Sequence, residues 1–168
     1  SGVRGSGWRG WGGARARPRV AGAGEGGGGL GGRGLGFTRR ALVPNFRGAQ
    51  RAIAAGVPKI SCRVAASPTY QRLNSNMTVE ENLDDIERTV ELAAGSSTEV
   101  ALGMAISFVC PYEGLVPLKS VLRIAERGVE LGLRDIHLSD SIGLAWTSLL
   151  RGRCPAVPDG CTDVTVGL

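Results

Sequence analysis

The run Glu99-Val100-Ala101-Leu102-Gly103-Met104-Ala105-Ile106-Ser107-Phe108, followed closely by the loop Cys110-Pro111-Tyr112-Glu113-Gly114, decides how this chain folds. An almost unbroken apolar stretch of strand length is what a parallel strand shows when both of its faces are covered. The loop then packs a thiol, a phenol, a carboxylate, a proline and a glycine into five positions, as a chain does where loop shape matters. About thirty residues later the pattern recurs: Arg134 to Ser139 reads as a strand, and Asp140-Ser141-Ile142-Gly143 follows it directly.

Helices separate these strands. Leu118, Leu122, Ala125 and Val129 form an apolar stripe over residues 118–131, and Gly132 supplies the stop. Thr78-Val79-Glu80-Glu81 is a capping box that opens a helix to Ala94, with Leu83, Ile86, Val90 and Ala93 on its apolar face. Upstream, residues 41–43 and Lys59 to Ala65 read as strands, and 47–55 as a helix stopped by Gly56. Residues 67–77 read as a polar loop with room for one helical turn, and Ala145 to Leu150 begins a helix. The order β-α-β-α-β-α-β-α predicts an α/β fold with parallel strands and right-handed crossovers. Four βα units make a partial (β/α)8 TIM barrel. A whole barrel takes ~250 residues and this chain has 168.

Three segments are expected. Residues 1–36 hold sixteen Gly and six Arg against one acid, Glu25, and read as a disordered tail because ordering glycine costs entropy and buries little. Arg4, Trp8, Arg9 and Trp11 would serve an RNA-binding tail best. The plainer reading, a non-native start such as GC-rich DNA translated out of frame, is preferred. Residues 37–150 are the barrel segment, and 151–168 an irregular second tail.

The net charge of +5 belongs to the first tail, because residues 37–168 carry fourteen basic and fourteen acidic side chains. The folded part therefore gives no charge argument for a nucleic-acid partner. No apolar run approaches the ~18 residues of a membrane span. Cysteines 62, 110, 154 and 161 form no CxxC pair, and His137 is the sole histidine, so no zinc spacing exists. The thiols read as reduced and the chain as cytoplasmic, ahead of a mitochondrial placement.

Candidate chemistry gathers at the strand ends, where β/α barrels build active sites. Asp140 is the strongest candidate, a carboxylate able to exchange a proton, or else a helix cap. Ser141 adds a hydroxyl. Cys110 reads as a buried loop-anchoring thiol, and Glu113 as a base or as a cap on the helix near Pro117. Asn45 offers an amide that both donates and accepts. Ser67 follows two alanines that leave room for a ligand, and Asn74 and Asn76 read as turn formers. His137 is expected in the core or facing a helix.

Together, Pro44-Asn45-Phe46-Arg47-Gly48, Ala65-Ala66-Ser67 with Asn74, Asn76, Thr78, Glu80 and Glu81, Cys110-Pro111-Tyr112-Glu113-Gly114 and Asp140-Ser141-Ile142-Gly143 resemble the 3-hydroxy-3-methylglutaryl-CoA lyase family. The resemblance spans about residues 41–150 and looks like the family's third to sixth strands. It implies cleavage of that thioester to acetyl-CoA and acetoacetate, with Mg²⁺ or Mn²⁺ polarising substrate oxygens. It implies a proton-handling role for Asp140 and substrate contacts at Asn45, Ser67, Asn74, Asn76, Cys110, Glu113 and Ser141. The family's Arg-Asp metal motif, His-x-His pair, later Asn ligand and catalytic-Cys loop find no match. The chain itself is therefore expected to be inactive and to bind no metal. The alternatives are a sister acyltransferase of the isopropylmalate or homocitrate synthase type, and a non-catalytic half-barrel with a basic RNA-binding tail. The sheet's open edges are expected to invite self-association, through apolar surface that an unclosed sheet exposes.

Overall fold

The computed structural model describes residues 40–156 and 163–165. The glycine-rich segment 1–36 lies outside them. In chain order the elements are β1 (Arg40–Val43), α1 (Phe46–Ala54), β2 (Lys59–Ala65), α2 (Pro68–Ser75), α3 (Val79–Ala94), β3 (Glu99–Ala105), β4 (Val109–Cys110), β5 (Gly114–Leu115), α4 (Leu118–Glu130), β6 (Ile136–Ser139), α5 (Thr147–Arg153), a 3-10 turn (Cys154–Ala156) and β7 (Asp163–Thr165). The main sheet runs β1-β2-β3-β6-β7 and every pairing in it is parallel. The four expected strands stand in it side by side, and β7 adds a fifth.

The first three helices each begin where a side chain satisfies free amides. Asn45 accepts from the Gly48 amide at 3.0 Å to open α1. Thr78 and Glu81 close the expected capping box on α3. Residues 67–77 are more ordered than a polar loop. Ser67 caps α2, Pro68 pre-sets its first turn, and Asn76 ends it in the left-handed region at φ 58°. Proline at the first helical position and a left-handed asparagine just past the end make a complete helix signal.

Register explains the two faces of the sheet. Val43, Cys62, Leu102 and Ile136 form one row across four strands. Phe46, Ile86 and Thr89 close over its β1–β2 end, and Gly128 of α4 lies against Leu102 and Ile136. A Cβ at Gly128 would come within 2.8 Å of Leu102 Cδ2, so the missing side chain lets α4 approach. The Cys62 thiol is buried here, which pushes its pKa up to about 12.

Alternation places Arg40, Lys59, Ser61, Arg63, Asp135 and His137 on the other face. There Arg40 and Lys59 both reach the Asp135 carboxylate, Lys59 at 2.5 Å. Arg40 Nη2 also lies 3.1 Å from His137 Nε2. His137 is buried, as expected, but it points away from α1, α3 and α4. The face left open is thus held by an ionic cluster instead of being bare apolar surface, and Leu42 is its large exposed apolar residue.

Two further differences concern strand ends. The apolar run to Phe108 is too long for one strand. It stops at Ala105, where Ile106 turns into the left-handed region at φ 54° and Ser107 Oγ donates back to the Met104 carbonyl. Past residue 150, α5 continues to Arg153, and Asp163–Thr165 pairs with β6. Both lie in the stretch that reads as irregular, because its prolines and Gly160 hide the pattern.

Candidate active site

Parallel pairing brings the loops after β1, β2, β3 and β6 to one edge of the sheet, and backbone bonds stitch three of them together. The Ala66 amide donates to the Ala105 carbonyl at 2.9 Å, and the Ser107 amide to the Ser139 carbonyl at 3.2 Å. Across the same seam the Ile106 amide donates to Ser141 Oγ at 3.1 Å. A β-branched residue in the left-handed region stores strain of ~1–3 kcal/mol, and such strain concentrates at functional sites.

The loop after β3 folds back as the antiparallel hairpin β4–β5. Its tip docks on the start of α2. Cys110 Sγ lies 3.0 Å from Ser67 Oγ, and both residues are almost fully buried. Glu113 Oε1 accepts from the Thr69 amide at 2.8 Å, and hydrogen bonding to the Thr69 side chain first, with this amide bond added, holds its carboxyl below the usual carboxylate range. Glu113 therefore caps α2. The helix near Pro117, its expected target, starts with no side-chain cap. The Tyr112 amide donates to Cys110 Sγ at 3.4 Å, and the Tyr112 ring sits 6.2 Å from that of Tyr70.

Asp140 is 2% exposed. Its two oxygens accept from the Leu144 and Ala145 amides at 3.3 and 2.8 Å. In this arrangement the carboxylate shapes the β6–α5 loop. The structure thus brings Ser67, Cys110 and Glu113 together, and sets Ser141 against the β3 loop beside Asp140. Asn45 is engaged in capping α1. Asn74 and Asn76 sit toward the far end of α2, a helix of ~12 Å, from Ser67. Gln71 escaped the sequence reading. It is buried, and its Oε1 accepts from the Ala65 amide at 2.7 Å, tying the end of β2 to α2.

Ser67 carries two of these contacts, since it also accepts from the Tyr70 amide at 3.1 Å. Ser67→Ala is expected to cost about 1–2 kcal/mol, the loss of a cap plus a buried polar partner. Urea unfolding checks this, and an unchanged midpoint would show the contact to be idle.

A parallel β/α sheet with a polar, strained carboxyl edge defines a partial TIM barrel with its site loops. The profile of the HMGL-like family matches residues 40–164, and the chain belongs to that family. It is 37% identical over 126 residues to the cytoplasmic 3-hydroxy-3-methylglutaryl-CoA lyase of Danio rerio, covering 75% of this chain and 37% of that protein. It is 33% identical over 132 residues to the (R)-citramalyl-CoA lyase of Chloroflexus aurantiacus, covering 79% and 42%. Among solved structures it superposes on an HMG-CoA lyase from Acinetobacter baumannii, in complex with coenzyme A and 3-methylmalate. That match has a TM-score of 0.75 and 26% identity, over 81% of this chain and 45% of the other. The chain spans less than half the length of each of these relatives.

Proposed function

We propose that this chain forms the substrate-side wall of a hydroxymethylglutaryl-CoA lyase-like barrel, and that the 168-residue polypeptide binds an acyl-CoA without cleaving it. The observation that carries this reading is the stitched edge of Ser67, Cys110, Glu113 and Ser141 in a chain of this family. Glu113 and Ser141 are exposed on that edge and offer a carboxylate and a hydroxyl to the polar groups of a thioester substrate, and Asp140 keeps the β6–α5 loop that carries Ser141 in shape.

The intact reaction calls for a divalent cation, which needs several oxygen or imidazole ligands. Among the described residues no group of three or more His, Cys, Asp or Glu is placed to hold one. Both Asp140 oxygens are already occupied by amides, and Asp135 is held by Arg40 and Lys59. These residues do not fit the metal.

The citramalyl-CoA relative favours a second reading of the acyl group within the same site. No described helix is long and apolar enough to cross a membrane. Curated relatives carry both cytoplasmic and mitochondrial names, and we place this chain in the cytoplasm. Self-association is proposed through the sheet edges β1 and β7.

Calorimetry with hydroxymethylglutaryl-CoA and citramalyl-CoA tests the binding, and an acetoacetate assay with added Mg²⁺ or Mn²⁺ tests the activity. Binding without product is the expected result. Metal-dependent acetoacetate release that disappears in Asp140→Asn would sink the inactivity claim.

A further inference from the structure

We infer that Arg153 is a positioning residue of the mouth, clamping the base of the hairpin whose tip carries Cys110 and Glu113. Arg153 ends α5 and is only 7% exposed. Its Nη1 donates to the Ser107 carbonyl at 3.1 Å and its Nη2 to the Val116 carbonyl at 2.5 Å. Those carbonyls lie just outside the two legs of the hairpin, β4 and β5. Between the legs the Val116 amide donates to the Phe108 carbonyl at 3.0 Å. One guanidinium therefore bridges both legs, and does so from a segment 46 and 37 residues away in sequence.

No acid side chain pairs with Arg153 among the described residues. Burial alone lowers its pKa from the usual arginine value, although the group stays charged at neutral pH. Carbonyl dipoles replace a counter-ion. A planar fork with several donors can hold two carbonyls at once, whereas a lysine ammonium is a single point on a flexible stem. The hairpin is thus held at both ends. Its tip rests on α2 through Cys110 and Glu113, and its base is gripped from α5. Loss of the base grip leaves the tip on those two contacts and opens a path to Cys110.

The consequence for a ligand rests on the acyl-CoA reading above, but the clamp itself does not. The test is iodoacetamide labelling of each cysteine in the full chain, resolved by peptide mass spectrometry, for the parent, Arg153→Met and Arg153→Lys. Cys110 is expected to label at least ~tenfold faster in Arg153→Met, and by less in Arg153→Lys, as local opening predicts. Cys62, buried under the helices, serves as the internal control and should not change. An unchanged Cys110 rate overturns the clamp. So does a parallel rise at both thiols, which is what general loosening produces. If the methionine variant does not fold, the lysine variant decides by the same two criteria. Calorimetry with hydroxymethylglutaryl-CoA runs alongside. A parent chain that binds none, with Cys110 still selectively released in Arg153→Met, supports the clamp and removes the ligand reading instead.

Discussion

Phe108→Ala is expected to remove about 3–5 kcal/mol of stability, the largest loss from any single side chain in the hairpin region. Phe108 is 1% exposed and stands among the largest fully buried side chains of the core. It also occupies the point where the long apolar run leaves the sheet and enters the hairpin. Its carbonyl accepts from Val116, so its backbone fixes the first leg while its ring fills the core. Truncation forfeits the transfer energy of the ring and leaves a cavity that neighbouring elements fill only in part. A loss of that size is a large fraction of the ~5–15 kcal/mol that holds a typical domain. Tyr112→Ala is the control in the same loop. That ring is 60% exposed and touches Tyr70 alone among the described aromatic rings, so about 1 kcal/mol or less is expected. Urea curves with equal slopes and separated midpoints would establish the difference. Equal midpoints for the two variants would show that Phe108 is not the anchor its burial indicates.

The same residue shows how far sequence reading reaches. Phe108 continues an apolar run, so period and composition alone carry the strand through it. What stops the strand at Ala105 is the left-handed turn at Ile106, a residue type that gives no warning of such a turn. The seam that stabilises it, from the Ile106 amide to Ser141, joins loops 35 residues apart. Local pattern contains no trace of that bond. Parallel alternation, the capping box of α3 and the helix stops were legible because each is decided within a few residues. The helix α2 was legible in principle: Ser67, Pro68 and Asn76 are cap, first-turn proline and left-handed stop. Its mean polarity concealed it. Glu113 reads in sequence as a base or as a cap on the next helix, whereas the hairpin folds it back onto α2. Strand β7 and the α5 arginine lay in a stretch whose prolines break every period. The role of Arg153 depends on two carbonyls that only the folded hairpin brings side by side.

The open face of the sheet gives the second large effect. Asp135→Asn is expected to cost about 2 kcal/mol at neutral pH, as a partly buried carboxylate with two cationic partners is replaced by an amide. Arg40 and Lys59 would then face each other's charge, with Glu99 the remaining acid paired with them among the described residues, 3.4 Å from Lys59 and largely exposed. His137 lies against the same carboxylate. Neither Asp135 Oδ1 nor His137 Nδ1 has a partner with hydrogen-bond geometry among the described residues, so the cluster is not fully satisfied. The partial exposure of Asp135 and Lys59 keeps the figure below that of a deeply buried pair. Burial pulls the Asp135 carboxyl upward. The Lys59 hydrogen bond and the charges of His137, Arg40 and Lys59 outweigh it and hold the group below its usual range. A folded-state value below the unfolded one contributes stability above the unfolded value of ~3.9, and loses it as pH falls through the folded one. Lys59 has the opposite sign. Its hydrogen bond with Asp135 raises it, so its contribution is complete below its ordinary ~10.4 and fades as pH rises through the folded value. The gap between parent and Asp135→Asn in urea unfolding should therefore be wider at pH 7 than at pH 3, narrowing as the carboxylate is protonated. A gap equally wide at pH 3 and pH 7 would place the cost in lost packing, and the charge on Asp135 would not be what ties β1 and β2 to the start of β6.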